Sequence, residues 1–232
     1  MTRDPAALNP DTIRGNLERV RQAAADACRR AGRDPGDVEI LVATKYVPAG
    51  GLEALHAAGI RLIGENRAQD LITKQWQFGD RFTYDFIGHL QSNKVRQVLP
   101  LVRLIHAVST ISVVGEIEKR VLQTTNVLLE VNIGQEASKY GIIPSEVDRF
   151  LEEASKFPKV NFTGFMTMPP LADDPEAVRS AFAELRRLAQ QLTEKWRGRY
   201  LFRQLSMGTS NDFTVAVEEG STIIRVGNVL FG

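Results

Sequence analysis

Val38-Glu39-Ile40-Leu41-Val42-Ala43-Thr44-Lys45 is the stretch of this sequence that decides its fold. Residues 38–43 form a nearly continuous apolar run, which is typical of a strand buried on both faces. Such strands belong to parallel sheets, because the helices that connect parallel strands cover both faces of the sheet. The stretch therefore predicts a parallel sheet with flanking helices, and it ends on a lysine.

Similar apolar runs recur along the chain and alternate with helical patterns. The predicted strands are 38–43, 60–63, 84–87, 103–106, 126–131, 160–164, 202–205 and 222–226. Repeated βα units require parallel pairing with crossover helices, which leaves an open doubly wound sheet and a closed barrel as the possible architectures. Because eight units follow one another without a linker or a change of composition, we expect a single α/β domain over residues 1–232, a (β/α)₈ TIM barrel.

Two helices have clear boundaries in the sequence. Asn9 can cap the first, Pro10 suits its first position, and Gly32 can end it. The clearest later helix has Asp174 as its cap and Pro175 at its first position. The first helix precedes the first strand, so we expect it as an addition at the N-terminus of the barrel.

The composition excludes several classes of function. The chain has 29 Lys and Arg against 28 Asp and Glu, a net charge of +1, which leaves no basic surface for nucleic acid or an anionic membrane. A single cysteine, Cys28, rules out a disulfide framework within the chain. No apolar run approaches the roughly 18 residues of a membrane span, and the N-terminus has no signal-peptide pattern. A cytoplasmic protein is the expectation.

In a (β/α)₈ barrel, functional groups collect at the carboxyl ends of the strands. Lys45 ends the first predicted strand, and the segments 206–210 and 225–228 follow or end the last two. Loops at those two positions commonly bind phosphate, and Gly208 and Gly227 allow the backbone to approach a ligand closely. The sequence therefore predicts an anion site opposite a lysine.

Lys45 follows apolar residues, so we expect its stem to be desolvated, which lowers an ammonium pKa and frees the amine to attack a carbonyl. A phosphorylated aldehyde or ketone fits such a site. Pyridoxal 5′-phosphate (PLP) and the substrate of a Schiff-base aldolase both satisfy this description. Arg225 would keep a pyridine nitrogen unprotonated and weaken the ring as an electron sink. From position alone, Arg225 could instead pair with Glu218 or Glu219.

Several short segments, from about residue 38 to the end of the chain, match a known family in the same order along the sequence. They are 41–45, 64–66, 86–94, 131–133, 138–141, 164–168, 205–210 and 225–227. Together they resemble the pyridoxal phosphate homeostasis protein family (YggS/PROSC), which is related to the barrel domain of alanine racemase. One segment alone would be weak, but so many in the same order make the match specific.

The resemblance implies roles for individual residues. Lys45 would hold PLP as a Schiff base, and Arg225 would face the pyridine nitrogen. Asn66 and Met166 would lie beside the ring. The implied phosphate contacts are Ser206, Met207, Ser210, Gly227 and Asn228. The family signature also covers residues 89–94, without assigning them individual roles.

The chain departs from the family pattern around the lysine. The family usually reads Ser-Lys-Thr-Lys-Pro, whereas this chain reads Thr44-Lys45-Tyr46-Val47-Pro48. The missing second lysine makes Lys45 a less ambiguous choice and weakens any cofactor transfer that needs two lysines there. Lys139 is the rival lysine for the imine. Asn228 replaces a common Thr or Ser, but an amide can also donate to phosphate.

Racemisation needs a second acid or base on the opposite face of the cofactor, and in the racemase fold a tyrosine from an additional domain supplies it. This chain stops at Gly232, and its four tyrosines, Tyr46, Tyr84, Tyr140 and Tyr200, lie elsewhere in the sequence. We therefore expect a non-catalytic PLP-binding regulatory or carrier protein of vitamin B6 and amino-acid homeostasis. It would be a monomer with PLP-dependent apoenzymes as transient partners. A weak racemase and a Schiff-base aldolase are the alternatives.

Other chemistries find little support. The histidines His56, His89 and His106 are far apart without a His-Glu-x-x-His spacing, so we expect no zinc site. We expect His56 on a solvated helix face and His106 within a strand, which leaves only His89 at the predicted site. Ser210 lacks the Gly-x-Ser-x-Gly elbow of a hydrolase.

Overall fold

The computed structural model describes residues 4–136 and 140–231. Within these residues, eight parallel strands close into a barrel in the order of the sequence. They are β1 Glu39–Ala43, β2 Leu62–Glu65, β3 Thr83–Phe86, β4 Leu104–Val108, β5 Thr125–Glu130, β6 Val160–Met166, β7 Gln204–Thr209 and β8 Ile223–Val226. The closed barrel confirms the predicted (β/α)₈ architecture.

The helices surround the barrel. They are α1 Pro10–Arg30, α2 Leu52–Ala57, α3 Ala68–Phe78, α4 Val95–Val98, α5 Ile111–Glu118, α6 Val147–Ala154, α7 Arg179–Lys195, α8 Phe213–Glu218 and α9 Asn228–Phe231. A short 3₁₀ turn, which Asp174 caps at Glu176 N, leads into α7. The main apolar core therefore fills the layer between the barrel wall and these helices.

The additional N-terminal helix is α1, as predicted. The Asn9 side chain accepts from the backbone N–H groups of Asp11 and Thr12, and Pro10 occupies the first position. The helix packs on α8 and α9, and Asn16 Nδ2 donates to Leu230 O at 2.9 Å. This contact ties the beginning of the chain to the end of the barrel.

Strand β2 begins at Leu62, two residues after the predicted start at residue 60. The reason is the end of α2, where Gly59 has a φ of +90° and Ile60 N donates to Leu55 O at 3.0 Å. This bond is that of a Schellman cap, which takes Ile60 into the helix terminus. Strand β7 likewise starts at Gln204, later than predicted, and continues to Thr209.

The interior of the barrel contains both apolar and polar side chains. The apolar group comprises Leu41, Leu104, Ala107, Leu128, Met166 and Ile223. Asp85, His106 and Ser206 are fully buried polar residues on strands β3, β4 and β7, and Arg225 on β8 is 6% exposed. Polar side chains at such positions must find hydrogen-bond partners within the protein.

Within the described ranges, no helix is long and apolar enough to cross a membrane. The same ranges contain no group of three or more His, Cys, Asp and Glu side chains placed to hold a metal ion. The cytoplasmic location and the monomeric state stay predictions.

Gly164 tests the packing of the barrel wall. It follows an irregularity in the pairing of β5 with β6, and a Cβ there would overlap the carbonyl oxygen of Gln204 on β7. We expect Gly164→Ala to lower the free energy of unfolding by about 2–3 kcal/mol, because a backbone atom cannot move aside cheaply. Urea unfolding followed by circular dichroism measures this.

Gly15 supplies the matched control. It lies exposed in the middle of α1, and a Cβ there would meet no described atom within 4 Å. Gly15→Ala should raise the free energy of unfolding by about 0.5–1 kcal/mol through helix propensity. If the two alanine variants were equally stable, our account of the β6–β7 packing would be wrong.

Candidate functional site

Four neighbouring strands bring most of the predicted residues to one edge of the barrel. Strand β1 pairs with β2 on one side and with β8 on the other, and β8 pairs with β7. Lys45 follows β1, Asn66 follows β2, Ser210 follows β7 and Asn228 follows β8. Since parallel strands end at the same side, these residues lie at the carboxyl end of the barrel.

Lys45 lies two residues beyond the end of β1, and its side chain is exposed. Its Nζ is 5.1 Å from the centroid of the Tyr46 ring. The expectation that the apolar strand desolvates Lys45 is therefore wrong, because Ala43 is the last strand residue and the chain enters a turn at Lys45. The assignment of Lys45 as the Schiff-base lysine stays a prediction.

The residue before Lys45 is held by a buried ion pair that no sequence pattern predicted. Glu65 and Lys74 form a salt bridge with side chains 0% and 3% exposed. Lys74 Nζ also donates to Thr44 O at 2.8 Å, and Thr44 Oγ1 donates to Glu65 Oε1. Burial raises the pKa of Glu65, while Lys74 opposes that rise. The cluster fixes the backbone from which Lys45 extends.

The loops after β2 and β3 pack tightly together. A Cβ at Gly88 would overlap the backbone of Asn66, so only glycine fits. Among the described residues, buried Asn66 Oδ1 and His89 Nδ1 have no hydrogen-bond partner. Tyr140 stacks on His89 with ring centroids 3.9 Å apart, a position that the sequence did not suggest for this tyrosine. Unpaired polar atoms here are available to a ligand.

The two predicted phosphate segments contact each other. Ser210 Oγ accepts from Gly227 N at 3.0 Å and from Val229 N at 3.4 Å. Two backbone N–H groups therefore converge on one oxygen at the start of α9. The same N–H groups can donate to a phosphate oxygen.

Gly208 determines how the segment after β7 folds. Its φ is +92°, and a Cβ there would lie 2.6 Å from Ala216 Cβ of α8. Asp212 Oδ1 accepts from Thr209 N at 2.5 Å and closes the turn. The Met207 side chain is fully buried in the core between barrel and helices, so only its backbone can face a ligand.

Arg225 is held inside the barrel. It donates from Nη1 to Ser206 Oγ at 2.6 Å and from Nη2 to Thr167 O at 2.9 Å. The alternative pairing with Glu218 or Glu219 is wrong, because both of these carboxylates bind Arg179 on the outer surface. Burial lowers the pKa of Arg225 to about 10, a value that still leaves it charged at neutral pH.

Ser206 belongs to a chain of hydrogen bonds through the barrel, which we call the interior chain. Its members, in order, are Arg225, Ser206, His106, Asp85, Arg103 and Glu39. His106 Nδ1 is 2.9 Å from Ser206 Oγ, and His106 Nε2 is 3.0 Å from Asp85 Oδ2. Arg103 donates to Asp85 Oδ2 at 2.7 Å and to Glu39 Oε1 at 2.8 Å. His106 lies in β4, as predicted, but it also bonds two polar groups.

The remaining predicted contacts stay predictions. Met166 lies in the apolar group of the barrel interior and is 3% exposed. The hydroxyl of Ser206, predicted to contact phosphate, is fully buried and bonded to Arg225 and His106. The rival lysine, Lys139, lies outside the described residues, as does Gly232.

Glu130 is a site residue that the sequence reasoning missed. It ends β5, and its Oε2 is buried without a hydrogen-bond partner among the described residues. Burial raises the pKa of Glu130 to about 7, and the nearby charge of Arg225 opposes that rise. A sequence signal for these residues exists, because Asp85, His106 and Glu130 are polar residues within predicted buried strands.

Comparison with known proteins supplies the relatives of this chain. The sequence model described as alanine racemase, N-terminal domain, matches residues 8–232. A pyridoxal phosphate homeostasis protein of Aquifex aeolicus is 38% identical over 220 residues, which cover 93% of this chain and 96% of that protein. The solved structure of PipY from Synechococcus elongatus with PLP bound matches with a TM-score of 0.81 at 29% identity, covering 95% of this chain and 100% of that one.

More distant structures share the fold alone. Alanine racemase from Corynebacterium glutamicum matches with a TM-score of 0.74 at 12% identity. The match covers 96% of this chain and 61% of the racemase. The barrel is therefore common to both proteins, and the racemase is the longer chain.

Glu130 gives a prediction for the pH dependence of stability. Its pKa of about 7 in the folded chain lies above the roughly 4.3 of an unfolded glutamate. Between these values the folded state binds more protons, so the contribution of Glu130 falls as pH rises through this window. Glu130→Gln should therefore stabilise the cofactor-free protein by about 1–3 kcal/mol near pH 8 and by less near pH 5.

Urea unfolding at both pH values measures the difference. Glu152→Gln is the control, because Glu152 is exposed on α6 and should give little change at either pH. A Glu130→Gln effect of the same size at both pH values would show that this carboxyl is not held protonated by burial.

Proposed function

The chain belongs to the family of pyridoxal phosphate homeostasis proteins, which have the alanine racemase N-terminal barrel, and we propose that it binds PLP and acts in intracellular vitamin B6 and amino-acid homeostasis. The observation that carries this proposal is the convergence of Gly227 N and Val229 N on Ser210 Oγ, at the same end of the barrel as Lys45 and Arg225. A related protein, PipY, has been solved with PLP bound.

The donors present fit this cofactor. Lys45 offers an accessible amine for a Schiff base, and the N–H groups at Ser210 suit a phosphate. Buried Asn66 Oδ1 and His89 Nδ1 lack partners among the described residues, which leaves them free to bond a polar ligand. When bound, PLP supplies an electrophilic carbonyl and an electron-accepting ring.

We assign the contacts as the family pattern implies. Lys45 holds the cofactor covalently, Asn66 and Met166 flank the ring, and Arg225 donates to the pyridine nitrogen. The phosphate contacts are Met207, Ser210, Gly227 and Asn228, while the hydroxyl of Ser206, which the family pattern also implies, is bonded to Arg225 and His106. Met207 contributes through its backbone, because its side chain is buried in the core.

We propose a regulatory or carrier role without catalysis. Arg225 is charged at neutral pH and donates wherever it bonds, so a pyridine nitrogen facing it stays unprotonated. An unprotonated ring is a poor electron sink, which suits retention of the cofactor better than carbanion chemistry. PLP-dependent apoenzymes would be transient partners of a cytoplasmic monomer, with residues 1–232 acting as one domain.

A weak PLP-dependent amino-acid racemase is the second candidate. The observation that favours it is the stacking of Tyr140 on His89, which brings a phenol and an imidazole to the loops around the site. Either group could exchange a proton with a bound amino acid. The fold itself is shared with alanine racemase.

Lys45→Ala tests the covalent assignment. We expect the purified protein to carry a yellow absorbance band from the Schiff base, and the variant to lose it, because alanine has no amine. Reduction with borohydride followed by peptide mass spectrometry should locate the cofactor on Lys45. Lys156→Ala, at an exposed position of the chain, is the control and should keep the band. A reduced adduct on another lysine of the wild type would contradict the assignment.

Proton exchange separates the carrier from the racemase. Incubation of the PLP-loaded protein with L-alanine in deuterated water should give no exchange of the α-proton above that of free PLP, because the ring is a weak electron sink. Proton NMR measures the exchange, and chiral chromatography detects D-alanine. Rapid exchange that Tyr140→Phe abolishes would support the racemase and refute the carrier role.

A further inference from the structure

The interior chain runs from the carboxyl end of the barrel, where Arg225 lies near the end of β8, to the amino end, where Arg103 precedes β4. Asp85, His106 and Ser206 form its middle and are each 0% exposed. None of these three side chains has access to water, so the hydrogen-bond donors and acceptors of each must find partners inside the protein.

The protonation state of Asp85 determines which atoms donate and which accept along the interior chain. Burial acts to raise the pKa of Asp85, but the hydrogen bonds from His106 and Arg103 outweigh it and lower the pKa. Asp85 is therefore an ionised carboxylate at neutral pH. An ionised carboxylate only accepts hydrogen bonds.

His106 can then adopt only one tautomer. Burial lowers the pKa of His106, although Asp85 opposes this, so the imidazole is neutral and has one donor and one acceptor. Nε2 faces Asp85 Oδ2 at 3.0 Å and must carry the hydrogen. Nδ1 is consequently an acceptor, and the hydroxyl 2.9 Å away must donate to it.

Ser206 in turn accepts a hydrogen bond from Arg225. Its single hydrogen points to His106, so only lone pairs face Arg225 Nη1, which lies 2.6 Å away. With the other tautomer of His106, the imidazole would donate to Ser206. Both lone pairs of Ser206 would then accept, from His106 and from Arg225, and the serine hydrogen would have no acceptor among its described contacts.

We propose that Asp85 and His106 are positioning residues that act through Ser206 to fix the orientation of Arg225 at the cofactor site. The consequence for the cofactor rests on the proposed function, in which Arg225 faces the pyridine nitrogen. Glu130 and Asp212 are the other charged groups that act on Arg225, but no hydrogen bond from Arg225 to either is among its described contacts. Ser206 and Thr167 O therefore provide the directional contacts of the guanidinium, and the interior chain acts through Ser206.

The tautomer of His106 can be observed without cofactor. The chain has three histidines, so ¹⁵N-histidine NMR gives a simple spectrum that His56→Asn and His89→Asn assign. We expect His106 to be the neutral tautomer with hydrogen on Nε2 throughout about pH 7.5 to 8.5. A hydrogen on Nδ1, or protonation of His106 within this range, would overturn the proposal.

Affinity measurements test the action on Arg225. Ser206→Ala should weaken PLP binding about threefold to tenfold, as the loss of one buried hydrogen bond does. His106→Leu should have a similar effect. His106→Asn should restore most of the affinity, because its amide oxygen can accept from Ser206 near the former Nδ1 position. Thermal unfolding identifies variants that do not fold. If His106→Leu is one of them, the comparison uses Ser206→Ala and His106→Asn.

Two controls separate positioning from direct contact. In an Arg225→Gln background, Ser206→Ala and His106→Leu should cost little further affinity, because residues acting through one group are not additive. Ser206→Ala should weaken the binding of pyridoxal, which lacks the phosphate, by the same factor as it weakens the binding of PLP. Full additivity with Arg225→Gln, or a loss confined to PLP, would refute positioning and make Ser206 a phosphate contact. If the wild type bound no PLP, the proposed function would fail while the tautomer measurement would still stand.

Discussion

Closure of the barrel removes water from the side chains in the middle of its interior, and a buried polar group without a partner costs about 1–3 kcal/mol. Asp85, His106, Ser206 and Arg225 come from four different strands, so each can be satisfied only if the strands close in the correct register. The polar interior therefore helps to select the strand register. It favours one alignment of β3, β4, β7 and β8 over any alignment that would leave these groups unpaired.

The two chemically important residues are supported in different layers of the molecule. Arg225 is held from within the barrel, whereas the backbone before Lys45 is held by Lys74 of α3 through Thr44 O. Because breaking a buried ion pair costs about 3–5 kcal/mol, the contact between Glu65 and Lys74 resists movement of this backbone. The Lys45 side chain is exposed, while the backbone before it is fixed. Such a lysine can reach a ligand that enters from solvent without a rearrangement of the barrel.

The sequence predicted the parts of the structure that depend on local patterns. The apolar run at 38–43 and the capping residues Asn9 and Asp174 each act within a few residues of themselves. The interior chain could not be predicted, because it depends on which residues of separate strands face each other. The pairing of β4 with β5 and of β7 with β8 includes register shifts next to His106 and Ser206, and no local pattern encodes these shifts. The exposure of Lys45 was missed for a similar reason, since it depends on where β1 stops.

The charges of the site favour holding an anion over processing one. A buried guanidinium loses its hydration, which is why the pKa of Arg225 falls to about 10, yet it keeps its charge at neutral pH. Glu130 could neutralise that charge, but burial raises its own pKa to about 7, so near neutral pH it is only partly ionised. Asp212 also acts on the charge of Arg225, and two backbone N–H groups converge on Ser210 Oγ at the same end of the barrel. The charge of Arg225 and these N–H donors both favour an anionic ligand. Under the proposed function, Arg225 would be a permanent donor at the cofactor ring, which suits retention of the cofactor better than its use as an electron sink.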